Sequence, residues 1–254
     1  MDLPVNAFKR GMKAGRPQIG CWCALCSSYS TEVIAGSGFD WLLIDMEHGP
    51  NDLMMVVQQL QATMGNPTHP VVRIPWNDMV TVKRVLDAGA QSLLIPYVQT
   101  EEESRNAVAY TRYAPVGVRG SGGPTRASRY MRIKDYVQRA HEEICVLVQV
   151  ESRLGIENLE KIAKVEGIDG VFFGPGDLST DMGYAGNPAH PEVQKVIDEG
   201  IRRIKACGKP AGILTADEKL ARRYLEMGVL FIAVASDIVV LARETERIAA
   251  KYKG

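Results

Sequence analysis

The sequence lacks an excess of charge of either sign. Its 30 basic and 30 acidic side chains cancel, so no global field attracts nucleic acid or an anionic membrane. It contains no apolar run long enough to span a bilayer, and residues 1–20 lack the apolar core of a secretory signal. We therefore expect a cytoplasmic protein that binds neither nucleic acid nor a membrane.

Cysteine is scarce. Five cysteines in 254 residues argue against a disulfide framework and fit a reducing compartment. Three of them, Cys21, Cys23 and Cys26, crowd into the segment CWCALC. They could form a thiolate metal site or serve as small buried side chains. We favour the second interpretation, because no further Cys or His cluster completes a set with zinc-like spacing.

Two kinds of catalytic apparatus are also missing. No GxGxxG follows a predicted strand and no GKS or GKT occurs, which disfavours a phosphorylated substrate. A Schiff-base aldolase needs a buried lysine inside its barrel, and no predicted strand carries one. Lys209 comes nearest, but it precedes the predicted strand AGILT. It therefore lies at the amino end of that strand, opposite the carboxyl end, where we expect the active site. We therefore do not expect covalent amine catalysis.

The chain does contain a regular alternation of short apolar runs and helical segments. Eight such runs are present: IGCWCAL, WLLID, PVVRI, SLLIPY, CVLVQV, GVFF, AGILT and LFIAVASD. Each is separated from the next by a segment of helix length, a pattern typical of parallel strands that are buried on both faces. The sequence predicts one (β/α)8 TIM-barrel domain over residues 1–254.

Two neighbouring strands of this predicted barrel each deliver a carboxylate. Glu151 follows CVLVQV, and Asp177 follows GVFF in the segment GVFFGPGDLS. Ligands bind at the carboxyl ends of the strands in such folds, and paired carboxylates suit Mg²⁺ or Mn²⁺. Acidic residues also suit helix N-termini, so the spacing alone leaves metal binding and helix capping equally open.

Further polar side chains are predicted at the same strand ends. His48 is the only histidine placed there, and its intrinsic pKa suits proton transfer near neutrality. Arg73 offers a fixed positive fork for a developing oxyanion. The complete predicted set is Asp45, Glu47, His48, Arg73, Gln149, Glu151 and Asp177.

Two glycine-rich segments add candidate contacts. The segment GVRGSGGPTRAS carries Arg119, Arg126 and Ser128 and is either a solvated surface loop or a cover over the active site. We favour a cover, because glycines permit close backbone approach to a ligand. The segment 174–177 begins a helix, whose free N–H groups could bind a substrate carboxylate.

These motifs together resemble the HpcH/HpaI family of class II pyruvate-dependent aldolases. The resemblance rests on FDWLLIDMEHGPND, the VRG…RAS loop, VLVQVES and IDGVFFGPGDLS, and it extends over about residues 18–240. It implies a modified TIM barrel with Mg²⁺, Mn²⁺ or Co²⁺ on Glu151 and Asp177. It also implies that His48 transfers the proton and that Arg73 stabilises the transition state.

The resemblance implies further roles and an assembly. Gln149, Gly176 and Asp177 are expected to contact pyruvate, and Asp87 to raise the basicity of His48. Asp87 is predicted at a helix end on the face away from the site, so it would reach His48 only from a neighbouring subunit. This fits the family's hexamers, which are trimers of dimers, and a C-terminal helix that subunits could exchange.

The expected reaction is reversible retro-aldol cleavage of a 4-hydroxy-2-oxo acid to pyruvate and an aldehyde. The enzyme would be a carbon–carbon (aldehyde) lyase of aromatic or sugar acid catabolism. Two alternatives are a citramalyl- or malyl-CoA-type lyase and a non-catalytic ligand-binding barrel. The chain departs from the family pattern at Met46, Gly49 and Gly176, which lie beside the site and bear on substrate size.

Overall fold

Eight parallel strands close into a barrel in a computed structural model that describes residues 1–253. Each strand pairs with the next along the chain, and the last pairs with the first. The strands are β1 Gln18–Cys23, β2 Trp41–Asp45, β3 His69–Arg73, β4 Ser92–Ile95, β5 Cys145–Val150, β6 Gly170–Phe173, β7 Ala211–Leu214 and β8 Phe231–Ser236. The predicted (β/α)8 barrel is confirmed.

Helices connect the strands and surround the barrel. They are α1 Ala7–Lys13, α2 Ser28–Ala35, α3 Leu53–Ala62, α4 Met79–Asp87, α5 Glu101–Thr111, α6 Tyr136–Glu143, α7 Arg153–Glu157, α8 Leu159–Lys164, α9 Pro175–Asp181, α10 Pro191–Ala206, α11 Glu218–Glu226 and α12 Asp237–Lys253. The sequence predicted one helix where α7 and α8 lie, and it did not predict α1. None of the helices within residues 1–253 is both long and apolar enough to cross a membrane.

Local capping sets where many of these helices begin. The Asp52 side chain accepts a hydrogen bond from Met55 N at the start of α3, and Asp78 caps α4 in the same way. Thr100 and Glu103 form a reciprocal capping box at the start of α5. Because each cap satisfies backbone N–H groups just past a strand, the βα turns at the carboxyl ends are well defined.

The barrel interior is filled mainly by aromatic and aliphatic side chains, including Trp41, Phe172 and Phe231. Glycines on neighbouring strands make room for them. A Cβ at Gly20 would lie 2.2 Å from the Trp41 ring, and a Cβ at Gly212 would lie 2.2 Å from Phe231. A second apolar layer packs between the strands and the helices. The interior is therefore a packed core, and ligands are confined to the ends of the barrel.

Helix α1 closes the N-terminal end of the barrel. Its Phe8 ring packs on Trp41 at 5.6 Å and stacks on the buried His69 ring at 5.8 Å. Asn6, which caps α1, donates to Ser92 Oγ, and the same hydroxyl contacts His69 Nε2 at 2.9 Å. With this end plugged, the carboxyl end is the open one.

Candidate active site

The carboxyl end of the barrel collects the polar side chains that the sequence predicted there. Glu47 and His48 follow β2, Arg73 ends β3, and Gln149 and Glu151 lie at the end of β5. Asp177 lies in the first turn of α9, directly after β6. Neighbouring strands thus bring to one rim residues that are far apart in the sequence.

Arg73 is the best-anchored side chain of this rim. Its Nε and Nη2 donate to the two carboxylate oxygens of Asp45 at 2.9 and 2.5 Å. The guanidinium also lies over the Trp22 ring at 4.9 Å, and Trp22 Nε1 donates to Asp45 at 3.1 Å. Arg73 and Asp45 are both buried. The fork therefore has one orientation, fixed from β1 and β2.

Glu47 lies on the other side of the Arg73 guanidinium. Its Oε2 is 2.8 Å from Arg73 Nη1, yet that buried oxygen has no aligned hydrogen bond. Burial raises the pKa of Glu47, against the opposing charge of Arg73. At Asp45, burial also raises the pKa, but hydrogen bonds and charge from Arg73 outweigh it and leave that pKa below its usual value. Asp45 is therefore the hydrogen-bonded partner of Arg73, while Glu47 pairs with Arg73 by charge without an aligned hydrogen bond.

Glu151 is buried and held through both carboxylate oxygens. Oε1 accepts the backbone N–H of Tyr97 at 2.9 Å, and Oε2 accepts Nε2 of Gln149. Burial raises the pKa of Glu151 to about 7, and the negative charges of Glu47 and Asp177 add to this effect. The three carboxylates are thus close enough to repel one another, and although Asp177 is exposed, water cannot fully screen the buried Glu151.

This arrangement fits a hard divalent cation. Two rim residues have a buried side-chain oxygen without a hydrogen bond, namely Glu47 Oε2 and Gln149 Oε1, and the negative charges of Glu47 and Asp177 act on Glu151 beside them. Within residues 1–253, no three His, Cys, Asp or Glu side chains are arranged to hold an ion by themselves. Glu151 and Asp177 are thus candidate ligands that could hold a cation only together with oxygens of the substrate or water.

Two glycines after β6 differ sharply in the space around them. A Cβ at Gly174 would lie 2.2 Å from Glu151 Oε2, so this position admits no side chain. A Cβ at Gly176 would meet nothing within 4 Å. Gly176 also lines a groove of about 660 Å³ between the ends of β7 and β8 and helix α12. The chain thus leaves open space on the side where a substrate would enter.

His48 points outward from the rim. Its side chain is 67% exposed, its Nε2 is 4.0 Å from Glu47 Oε2, and its backbone N–H donates to Asp45. The turn is therefore fixed while the imidazole stays free. Such a histidine can exchange protons with a ligand or with a residue of another subunit.

Asp87 lies at the opposite end of the barrel, at the last residue of α4 and before β4. Its Oδ1 accepts a hydrogen bond of 2.7 Å from Arg119 Nη2, whose guanidinium is fully buried against Tyr113. Asp87 and His48 of one chain therefore cannot meet. The structure places Asp87 on the far face, as the sequence predicted, and its role toward a neighbouring subunit stays a prediction.

The expectation that the glycine- and arginine-rich loop covers the site of its own subunit is wrong. Arg119 binds Asp87, Arg126 donates to the Ala88 carbonyl, and Ser128 bonds within the loop. The loop leads from helix α5 toward strand β5, and such αβ connections lie at the N-terminal ends of the strands. The composition of the loop suggested that it covers a ligand, but the elements that it connects place it at the N-terminal end of the barrel.

Two of the three clustered cysteines, Cys21 and Cys23, are packing residues, whereas Cys26 is partly exposed. Cys21 and Cys23 are buried on β1 against Ala35 and Leu42, and all of them carry free thiols. Burial raises the pKa of Cys21 to about 11 and raises that of Cys23 further. A protonated, buried thiol is a poor metal ligand, which agrees with the favoured interpretation of the segment.

Sequence reasoning assigned no role to three residues that shape the rim. Asp45 was among the predicted strand-end residues, but its pairing with Arg73 follows from strand register. Trp22 lies within the first predicted strand, IGCWCAL, and the structure adds its contact with Arg73. Tyr97 gave no signal in the sequence, because its backbone amide makes the contact.

Comparison with known proteins places the chain among its relatives. Residues 18–243 match the family model described as HpcH/HpaI aldolase/citrate lyase. The chain is 58% identical over 248 residues to a Salmonella dublin protein named 4-hydroxy-2-oxo-heptane-1,7-dioate aldolase, covering 97% of this chain and 94% of that protein. An Escherichia coli protein of the same name is 57% identical, with 97% and 95% covered.

Solved structures show the same similarity. A crystal structure of an HpcH/HpaI aldolase/citrate lyase family protein from Burkholderia cenocepacia J2315 has a TM-score of 0.95 and 37% sequence identity. The match covers 98% of this chain and 100% of that one. The likeness therefore extends over the whole barrel, including the rim.

Proposed function

The chain belongs to the HpcH/HpaI aldolase/citrate lyase family and is a carbon–carbon lyase, and from this premise we propose its substrate class, metal and residues. The reaction is reversible cleavage of a 4-hydroxy-2-oxo acid into pyruvate and an aldehyde. The observation that carries the proposal is the convergence of buried Glu151 with Asp177 and Glu47 beside the anchored Arg73 fork. A long dicarboxylate, 4-hydroxy-2-oxoheptanedioate, is the first substrate to test, because relatives carry its name.

Glu151 and Asp177 are the proposed metal ligands. A divalent cation such as Mg²⁺, Mn²⁺ or Co²⁺ held there would act as a Lewis acid on the 2-oxo group of the substrate. Gln149 keeps Glu151 oriented through its side-chain amide, and its unpaired Oε1 faces the same space. Gln149, Gly176 and Asp177 together form the proposed pyruvate pocket.

Arg73 and His48 have separate roles in the cleavage of the C3–C4 bond. His48 accepts the proton of the C4 hydroxyl, the C3–C4 bond breaks to release the aldehyde, and the electron pair moves onto the pyruvate half as an enolate. Protonation of the enolate at C3 then gives pyruvate. Arg73 provides a fixed positive charge where negative charge develops on the 2-oxo oxygen. Because Asp45 and Trp22 already hold the guanidinium, little reorganisation is needed during the reaction.

A homo-oligomer, a hexamer of three dimers in its proposed form, completes the site. Asp87 lies on the face opposite His48, so its role toward that histidine requires a neighbouring subunit. Helix α12 also exposes a run of apolar side chains, of which Val240 is 56% and Leu241 54% exposed. An apolar helix face of this kind favours association, and exchange of α12 between subunits is part of the proposal. A fully active monomer by light scattering would contradict it.

The rival CoA-dependent lyase shares the metal carboxylates but needs a basic pocket for the CoA phosphates. The groove of about 660 Å³ beside Gly176 is lined mainly by apolar residues, with Arg243 as its basic side chain. This lining favours a small aldehyde over a nucleotide.

A cytoplasmic location remains part of the proposal.

The proposal is tested by measuring pyruvate release from 4-hydroxy-2-oxoheptanedioate. We expect activity with Mg²⁺, Mn²⁺ or Co²⁺, loss of activity in EDTA, and recovery when the metal is returned. Glu151→Gln should stay inactive in excess metal, whereas the surface variant Glu218→Gln should behave as wild type. Undiminished activity in the chelator would refute the metal mechanism, and a citramalyl-CoA-specific activity would favour the rival lyase.

A further inference from the structure

We propose that Tyr97 is a positioning residue that fixes the Glu151 carboxylate through its backbone amide. Trp76 stacks on the Tyr97 ring and holds the backbone in the conformation that this contact requires. The inference rests on the proposed role of Glu151 in metal binding. It assigns a function to two exposed aromatic residues that the core does not explain.

The backbone of Tyr97 adopts a conformation that side chains normally avoid. Its φ angle is 55°, in the left-handed region. That region costs free energy for a residue with a Cβ atom, and it is especially unfavourable for a bulky one. Strain of this kind persists only where surrounding contacts hold it, and it concentrates at functional sites.

The strained turn fastens the end of β4 to the end of β5. The Tyr97 N–H donates to Glu151 Oε1 at 2.9 Å, and the next amide, that of Val98, donates to the Gln149 carbonyl at 3.0 Å. Gln149 in turn donates to the other oxygen of Glu151. The Tyr97 amide therefore supplies one of the two restraints on this carboxylate, and an extended backbone at Tyr97 would turn it away.

The Tyr97 ring contacts an aromatic residue in the segment that follows the neighbouring strand β3. It stacks on Trp76, with ring centroids 5.9 Å apart and ring planes inclined by 28°. Trp76 follows Arg73 by three residues, so the stack links the segments after β3 and β4. Trp76 is 57% exposed and Tyr97 is 38% exposed. The favourable energy of ring contact offsets the backbone strain, and neither ring is needed to fill the core.

The test uses affinity for Mn²⁺, measured by electron paramagnetic resonance on protein without substrate. Trp76→Ala and Tyr97→Ala should weaken Mn²⁺ binding about tenfold, since each releases a hydrogen bond to a charged group. Trp76→Phe and Tyr97→Phe should retain wild-type affinity, because both keep the stack. Tyr252→Ala, at an exposed tyrosine near the end of α12, controls for loss of an aromatic ring.

A matched pair of double variants separates positioning from shielding of the site by the rings. Trp76→Ala with Tyr97→Gly and Trp76→Ala with Tyr97→Ala both lack the rings and differ by one methyl group. Glycine adopts positive φ without steric cost, so the glycine double variant should bind Mn²⁺ at least about fivefold more tightly than the alanine one. If the rings act only as cover, the two affinities will be equal.

The possible failures are distinguishable. Equal Mn²⁺ affinity in wild type, Trp76→Ala and Tyr97→Ala would overturn the positioning role and leave the proposed function intact. Equal affinity of the two double variants would overturn it as well. If wild-type protein and Glu151→Gln both fail to bind Mn²⁺, the proposed metal site and the role of Tyr97 toward it fall together.

Discussion

Asp45 and Arg73 face each other at the carboxyl ends of β2 and β3, where the strand register pairs them directly. Both oxygens of the Asp45 carboxylate accept hydrogen bonds from the Arg73 guanidinium. A buried, bidentate pair of this kind fixes the position of the guanidinium charge, so the guanidinium does not move when a ligand binds. The Arg73 guanidinium, which we propose to be catalytic, is therefore oriented before substrate binds.

Asp45→Asn should misorient the Arg73 guanidinium while leaving the arginine in place. The variant removes one of the two carboxylates beside the buried guanidinium and leaves only Glu47, which should cost about 1.5–3 kcal/mol of stability. Misplacement of the fork should lower kcat about 10–100-fold. Steady-state kinetics and urea unfolding measure the two effects.

Glu160→Gln provides the matched control, because Glu160 forms a bidentate pair with Arg203 on the outer helices. This partly exposed pair should contribute at most about 1 kcal/mol, and its loss should leave kcat unchanged. An Asp45→Asn enzyme with wild-type kcat would show that Arg73 needs no such anchor.

Two neighbouring glycines should respond oppositely to alanine. Gly174→Ala would place a methyl group against Glu151 Oε2, so it should displace the carboxylate and weaken metal binding about tenfold or more. Gly176→Ala adds a methyl group into open space, so it should leave stability and metal affinity unchanged. Because Gly176 borders the groove beside α12, its methyl group should shift preference toward smaller aldehydes. Calorimetric metal titration and an aldehyde series with pyruvate check both halves, and equal metal affinity in the two variants would contradict the geometry.

Mixing inactive variants tests whether Asp87 acts across a subunit boundary. His48→Ala and Asp87→Ala should each have low activity. If Asp87 serves the partner's site, co-refolded mixed dimers contain one site with both native residues, and random mixing should restore about a quarter of wild-type activity. Native mass spectrometry confirms that mixed assemblies form. Mixed assemblies with no recovered activity would show that Asp87 does not act across the subunit boundary.

His69 predicts an acid sensitivity that is independent of catalysis. Burial lowers the pKa of His69 to about 4, so the folded state binds fewer protons than the unfolded state below the usual value near 6.5. Stability is therefore full above about pH 6.5 and falls as pH decreases, by about 2–3 kcal/mol on approaching pH 4.

His69→Gln retains a polar group toward Ser92 and should remove this part of the pH dependence. Urea unfolding at pH 7 and pH 4.5 measures it, with His141→Gln on the surface helix α6 as the control. The same loss of stability at low pH in wild type and His69→Gln would assign the effect to other groups.

Most of the fold was predictable because parallel strands buried on both faces appear in the sequence as short, continuous apolar runs. Runs such as WLLID and GVFF are continuous in apolar residues and alternate with helix-length segments. The break between α7 and α8 at Asn158 and the plug α1 were not predictable in this way. A seven-residue helix such as α1 shows too little periodicity, and it exists because Phe8 has a barrel end to pack against.

The sequence alone determined the chemistry available at the rim, because strand-end positions for Arg73, Glu151 and Asp177 follow from the order of the elements. Tertiary structure alone decided how those groups are held. Strand register pairs Asp45 with Arg73, and a left-handed turn brings the Tyr97 amide to Glu151. Chain connectivity placed the arginine-rich loop at the far end of the barrel, where its Arg119 donates to Asp87. These are contacts between elements distant in sequence, and a linear pattern of polar and apolar residues does not record them.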